Sequence, residues 1–389
     1  MKIRSIKSLK KIAGRRFLVR VDFNVPFENG QIKDDYRLRR GVRTIDHLCR
    51  QGGRVIVIAH LGDPSGYDPD FSCLPLAKRL AAVLKRQVSF VPGPISAMAG
   101  LPPLKNGSLV MLDNLRFDQG EKKDSPAFAS QLASLADIYV NDAFSVCHRR
   151  QASVSAIAKL LPAYAGLLLE EEIHQLSAAF SPAKPLVVLM GGAKISTKAP
   201  MIAKLKPGAA QIMLGGALAN TFLAHLGYEI GKSLYDKEGK KIVSAFTKGG
   251  RLDPKISLPL DVAVRDRLGR ACRRTIREVK KSDTVLDIGP DTIMAYSRAI
   301  AQAKTIIWNG PMGKYEEASF RAGTMALASA VAARSRGQAF GLVGGGETVE
   351  ALKQSKMEEY VDFISTGGGA MLAFLGKQPM PGLRGIVKR

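Results

Sequence analysis

Eleven short apolar runs punctuate the chain, and each stops abruptly at polar or glycine-rich residues. In the first half they cover 17–23, 54–60, 109–112 and 138–140. In the second half they cover 186–190, 211–214, 256–264, 284–288, 305–308, 339–343 and 361–364. Stretches such as 74–84 and 126–135 lie between them with helical three-and-four spacing. Alternation of this kind predicts right-handed crossovers and parallel sheets, hence an α/β fold. The residues at which the runs stop change halfway along. First-half runs end in charged and amide side chains: Arg20 to Asn24, His60, Asn114 to Arg116, Asn141 and Asp142. Second-half runs end mostly in glycine: Gly191, Gly192, Gly215, Gly216, Gly289, Gly310, Gly344 to Gly346, Gly367 to Gly369. Ligands of open α/β sheets sit beyond the carboxyl ends of the strands, so two crevices of different chemistry are expected.

A helical pattern over 167–180, with Glu170 to Glu172, is followed by a turn punctuated by Pro182 and Pro185. The pair makes a natural connector. The expected division is 1–168 with the tail 376–389, a linker at 169–184, and a second domain at 185–375. The tail is too short to fold alone and is expected to pack back on the first half. Ile3, Ile6, Leu9 and Ile12 recur every third residue in a basic N-terminus. A short docked segment accounts for them better than a targeting helix.

With 389 residues, 46% hydrophobic and 24% charged, the chain can bury two full cores. No apolar stretch is long enough to cross a bilayer. Cys49, Cys73, Cys147 and Cys272 are scattered, with neither zinc nor redox spacing, which predicts reduced thiols in a cytoplasmic protein. The net charge is +24, and the first fifty residues hold 14 Lys/Arg against 5 Asp/Glu, or +9. Such a surface attracts polyanions. With 6% aromatics and no base-stacking motif, phosphate-rich small molecules are a better expectation than nucleic acid.

In the first half, Asp22 and Asn24 alternate along a strand end and share a face. Asp34 to Arg39 follow in what reads as a loop. Arg37, Arg116 and Arg149 follow strands, and converging guanidinium groups suit carboxylate and phosphate. His60 alone is weak evidence, since a lone histidine is as readily structural. In the second half, Gly191, Gly192, Ala193 and Lys194 join a strand to a helix, and the spacing of Lys194 and Lys198 puts both on one helical face. Two ammonium groups and a helix start make a polyphosphate site. Gly367, Gly368 and Gly369 repeat that logic. Gly344, Gly345, Gly346, Glu347 and Thr348 add a carboxylate that could hold Mg²⁺ beside phosphate oxygens. Gly227 to Ser233 imitates a P-loop but is one residue short, with no apolar strand before it.

Six further pieces, in order, carry a resemblance: RVDFNVP from Arg20, NLRF from Asn114, NDAFSVCHRRQAS from Asn141, GGAK from Gly191, WNGPMG from Trp308 and STGGGA from Ser365. From about Phe17 onward the chain resembles the phosphoglycerate kinase family. The resemblance implies two Rossmann-like three-layer domains, each with a mostly parallel sheet, joined by a helix and hinge about which they close. It implies reversible transfer of the acyl phosphate of 1,3-bisphosphoglycerate to Mg-ADP, with Mg²⁺ as cofactor, by a monomer. Carried over by position, 3-phosphoglycerate falls to Asp22, Asn24, Arg37, His60, Arg116 and Arg149. The phosphoryl group in flight falls to Arg37, Lys194, Lys198, Gly367, Gly368 and Gly369. The nucleotide falls to Lys198, Gly216, Asn309, Pro311, Glu316, Gly345, Gly346, Glu347 and Thr348, with Glu347 on the metal.

Four positions depart from the family pattern: Asp63 replaces an arginine, Thr197 and Glu347 each replace an aspartate, and Ala217 replaces a glycine. They mark a divergent member. The acceptor oxygen of such a transfer is already ionised, so no general base is required. Two alternatives stay open on the residues alone: a kinase for another small carboxylic acid, and a non-enzymatic protein binding anions or nucleic acid.

Overall fold

A computed structural model describes residues 1–28 and 30–388. The chain divides into two compact units, Met1–His174 with Pro379–Arg389, and Gln175–Gln378.

The first unit is built on a six-stranded parallel sheet. Its strands are β1 (Arg16–Val21), β2 (Arg54–Ile58), β3 (Ser89–Val91), β4 (Leu109–Leu112), β5 (Ile138–Asp142) and β6 (Ala163–Ala165), in the order β3-β4-β2-β1-β5-β6. β1 pairs on both sides, Phe17 with Val55 and with Ile138. A parallel sheet covered on both faces needs continuous apolar strands, and β4 is buried at every position. Helix α1 (Tyr36–Arg50) buries Leu38, Gly41, Ile45 and Leu48 at three-and-four spacing. Tyr36 to Arg39 are therefore not loop: they form the first turn of α1. Five arginines and lone apolar positions disguise its period in the sequence. α2 (Leu74–Leu84) and α3 (Pro126–Ser134) both carry proline in the first turn, where its missing N–H costs nothing. The Ser125 hydroxyl caps α3.

α4 (Leu167–Ala178) follows β6, and buried Asp142 accepts hydrogen bonds from the first-turn N–H groups of Leu168 (2.9 Å) and Leu169 (3.1 Å). The N-terminus docks through bridges from Ser5 to Ala165 and from Ile3 to Val387. The tail returns to this unit: Gly382 N–H donates to the Cys147 carbonyl (2.9 Å), and Arg4 N–H donates to the Ile386 carbonyl (2.8 Å).

The second unit has a six-stranded parallel sheet of β7 (Leu186–Met190), β8 (Ala209–Leu214), β9 (Ile256–Ser257), β13 (Thr305–Asn309), β14 (Phe340–Gly344) and β15 (Phe363–Ser365), ordered β9-β8-β7-β13-β14-β15. Three further strands, β10 (Asp261–Arg265), β11 (Ala271–Thr275) and β12 (Thr284–Ile288), form a separate antiparallel sheet, β11-β10-β12. This corrects two expectations. The run 256–264 is not one strand, because Pro259 lacks an N–H and restricts the residue before it, and the chain leaves the main sheet there. The run 284–288 joins the antiparallel sheet, not the parallel one.

Four helices of this unit start where parallel strands end, α5 (Ile195–Leu205), α6 (Gly216–His225), α9 (Gly346–Gln354) and α10 (Gly368–Leu375), whereas α7 (Pro290–Gln302) follows β12 and α8 (Ala322–Ser335) follows a loop after β13. Trp308 is fully buried in the core, and its indole N–H donates to the Gly310 carbonyl (2.8 Å).

Candidate functional site

In the first unit the strand ends gather the predicted cations and amides. Asp22 follows β1, and its carboxylate accepts from Arg37 Nη1 (2.9 Å) and from the Ser145 hydroxyl. Burial resists ionisation of Asp22, but the Arg37 charge, with the Ser145 hydroxyl and the Arg20 charge, outweighs it and holds the carboxyl below its ordinary range. Arg37 Nη1 also donates to the Asn24 carbonyl (3.2 Å), while the Asn24 side-chain oxygen accepts from Gly62 N–H (2.9 Å). Asn114 caps its own turn, accepting from Arg116 N–H (3.0 Å), and its amide donates to the Leu61 carbonyl (2.7 Å). Arg116 thereby lies against the loop after β2 and donates to the Gly62 carbonyl.

Arg20, wholly buried in β1, places His60. Its Nε donates to the Ser153 hydroxyl (3.0 Å), and its Nη2 lies 3.1 Å from His60 Nδ1. A guanidinium only donates, so Nδ1 accepts and the neutral ring carries its proton on Nε2. Burial first, then the Arg20 charge, push the His60 pKa well below its ordinary value. Arg149 is exposed and, among the described residues, makes no side-chain hydrogen bond, yet its charge acts on His60, Asp63 and Arg116. The structure thus brings Asp22, Asn24, Arg37, His60 and Arg116 together, with Arg149 close by.

Sequence reasoning missed three participants. Arg20 was visible as a charge inside an apolar strand. Ser145 carried no signal of its own. Asp63 was seen as a departure, but not its partners: its carboxylate pairs with Arg116 (3.1 Å) and with Lys122. The Asp63 side chain is 71% exposed whereas that of Arg116 is 7% exposed, so the aspartate is the member free to swing away.

In the second unit, glycines open the strand-to-helix turns to bare backbone. Gly192 sits at φ +82°, and a Cβ there would meet Lys198 Nζ at 3.5 Å. Gly191 admits no side chain, since a Cβ would fall 1.8 Å from the Pro311 carbonyl oxygen. Lys198, on α5, is 7% exposed and donates to Asn309 Oδ1 (2.9 Å). Asn309 in turn donates to the Gly344 carbonyl (2.9 Å), and Thr348 accepts from Gly310 N–H (2.7 Å). Burial brings the Lys198 pKa down to about 8, and the Glu347 carboxylate opposes that only in part.

Lys194 corrects the helical-face expectation. It is the residue before α5, with extended backbone (φ −90°, ψ 111°), and it is exposed while Lys198 is buried. The two turns at α9 and α10 touch: a Cβ on Gly368 would lie 2.9 Å from Gly345 Cα. Gly367 precedes α10, with Gly368 and Gly369 in its first turn, and Gly346 opens α9.

A cavity of ≈ 510 Å³ lies beside these turns, with Gly216, Pro311, Glu316 and Glu347 on its wall. Ala217, Leu234 and Val262 add apolar surface suited to a flat ring. Asn309 and Thr348 are buried and do not line it. The P-loop look-alike follows α6 rather than a strand, so it is no P-loop, although Lys232 and Leu234 reach the cavity. Asp287, also on the wall, accepts from Gly323 N–H (2.7 Å) and Ile288 N–H (2.9 Å), and burial raises its pKa to about 7.

Two doubly wound units, one presenting clustered guanidinium groups and the other glycine-opened helix starts beside an apolar slot, define the class of α/β phosphotransferases. The phosphoglycerate kinase family model matches residues 6–378. The chain is 42% identical over 396 residues to the phosphoglycerate kinase of Desulfosudis oleivorans, covering 98% of each, and 39% identical over 377 residues to that of Thermus thermophilus, covering 95% of this chain and 96% of the relative. Its fold is similar to the phosphoglycerate kinase of Coxiella burnetii (TM-score 0.85, 35% identity, 99% and 98% covered) and to that of Pyrococcus horikoshii (TM-score 0.83, 28% identity, 98% of each). The chain belongs to the phosphoglycerate kinase family.

Proposed function

We propose that the protein transfers a phosphoryl group reversibly between the acyl phosphate of 1,3-bisphosphoglycerate and Mg-ADP, giving 3-phosphoglycerate and ATP. The acid binds residues 1–168 with 376–389, the nucleotide binds 185–375, and 169–184 connect them. The observation that carries this reading is the Arg37, His60, Arg116 and Arg149 cluster in a unit whose partner unit buries Lys198 at a glycine-opened helix start.

Arg37, Arg116 and Arg149 hold the carboxylate and phosphate of the acid, with Asn24 and neutral His60 donating and Asp22 fixing Arg37. Lys194, Lys198 and the N–H groups at Gly367, Gly368 and Gly369 receive the charge of the moving phosphoryl group. Gly216, Asn309, Pro311, Glu316, Gly345, Gly346 and Thr348 shape the nucleotide site. Catalysis is alignment and charge stabilisation, with no proton to remove.

Glu347 is the carboxylate suited to Mg²⁺. It is exposed at the start of α9, and among the described residues no three His, Cys, Asp or Glu side chains cluster tightly enough to cage an ion. That donor set fits an ion carried in on phosphate oxygens and water, which would neutralise charge between the phosphates. The four unpaired cysteines fit a reducing, cytoplasmic setting, and the working form is a monomer.

The deciding experiment is a coupled assay with 3-phosphoglycerate, ATP and Mg²⁺. Turnover with this acid above that with other small carboxylic acids is expected. No turnover, or preference for another acid, would overturn the assignment.

A further inference from the structure

A second cationic cavity lies in the first unit, and none of the residues assigned above lines it. Its volume is ≈ 770 Å³. Three segments far apart in sequence supply its charge: Arg4 from the N-terminus, Arg150 and Lys159 from the turns after β5, and Arg384 and Lys388 from the tail. Among the described residues Asp124 is the one acid on its wall, so five cations face one carboxylate, a balance of +4. That carboxylate is already engaged, accepting from the Ser155 hydroxyl (2.7 Å) and Ala156 N–H (3.2 Å).

Some surface arginines elsewhere sit against an acid: Arg16 against Asp137, Arg39 against Asp35, Arg270 against Asp266. Among the described residues none of the five cavity cations has an acidic partner. The Arg4 guanidinium donates to the Gly385 carbonyl (2.7 Å), which fixes it at the wall. The N-terminal segment and tail that carry three of these cations are held to each other by backbone bonds, from Arg4 N–H to Ile386 and from Lys388 N–H to Lys2. Like charges gathered without counter-charges repel one another, and a bound anion relieves that repulsion.

We propose that this cavity binds a small molecule bearing two or more phosphate groups, at a site separate from the catalytic one. The volume is that of a small-ligand pocket, and arginine forks match phosphate bidentately. Nucleic acid fits less well, because the charge converges on one hollow rather than running as a stripe, and none of the lining residues is aromatic.

The probe is inorganic tripolyphosphate, titrated calorimetrically into the intact protein with 3-phosphoglycerate and Mg-ADP held saturating. One site per chain is expected to remain. The double variant Lys159→Gln with Arg384→Gln should weaken that binding about tenfold or more while kcat and KM stay unchanged. A control of equal charge loss, Lys10→Gln with Lys237→Gln, should leave it unchanged, and melting curves verify that both variants fold. No residual site, equal weakening in the control, or tighter binding of a short RNA oligonucleotide at the same place would overturn the proposal. The three overturning outcomes are read from binding heats, and only the kcat and KM comparison draws on the coupled assay.

Discussion

Lys198 should take up a proton when the nucleotide binds. In the free protein burial holds its pKa near 8 against an ordinary 10.5. Keeping the ammonium charged there costs about 3 kcal/mol, at 1.36 kcal/mol for each of the 2.5 units between those values. A phosphate beside Nζ removes most of that cost and restores the ordinary value. At about pH 8 half of the free molecules carry neutral Lys198, so binding should draw in about 0.5 proton per nucleotide. The sign follows: a pKa raised by the ligand makes binding tighter at low pH. Affinity for Mg-ADP should fall about tenfold between about pH 7 and pH 9. Calorimetry at pH 8 in buffers of different ionisation enthalpy measures the uptake directly. The variant Lys198→Met should abolish it. Buffer-independent heats in the wild-type protein, or undiminished uptake in the variant, would show that Lys198 does not meet the phosphates.

Arg37→Ala should lower kcat about 100-fold or more while Mg-ADP affinity barely changes, and near-normal turnover in steady-state kinetics would remove Arg37 from the transfer step. Asp63→Asn should lower KM for 3-phosphoglycerate about two- to fivefold, because the solvent-facing Asp63 carboxylate competes for the Arg116 guanidinium with an energy of about 0.2–1 kcal/mol; an unchanged KM would mean that Arg116 is equally available in both proteins. Asp287 has a folded pKa of about 7 against 3.8, so its contribution to stability grows as pH falls. Between about pH 8 and pH 6.5 it should add about 0.8 kcal/mol, or about 2 °C of melting temperature, and Asp287→Asn should flatten that slope. Parallel slopes for the two proteins would place the titration elsewhere.

Runs buried on both faces were legible from composition alone: 109–112 and 186–190 coincide with β4 and β7. Strands with mixed or exposed faces were not. β11 alternates exposed and half-buried positions and reads Ala-Cys-Arg-Arg-Thr, with no apolar signal to mark it. The short edge strands β3 and β6 are held by their neighbours rather than by their own pattern. α1 was hidden because its arginines serve two purposes at once. Arg37 and Arg40 meet acids, and the helix still buries a stripe behind them. The same limit applies to the site. Residue types at strand ends pointed to anion chemistry, but which carboxylate opposes which guanidinium is set by loop paths. Asp63 and Ser145 reach their partners across gaps of 53 and 123 positions, a separation no local pattern records.

The union of the tail with the N-terminal segment orders events on the ribosome. Residues 379–388 are made after every residue of the second unit, yet Gly382 closes on Cys147, and its carbonyl accepts from the Asn141 amide (3.1 Å). The half that is translated first is therefore the half that is finished last. The turn after β5 and the N-terminal segment must wait for their partner while the later half emerges and folds.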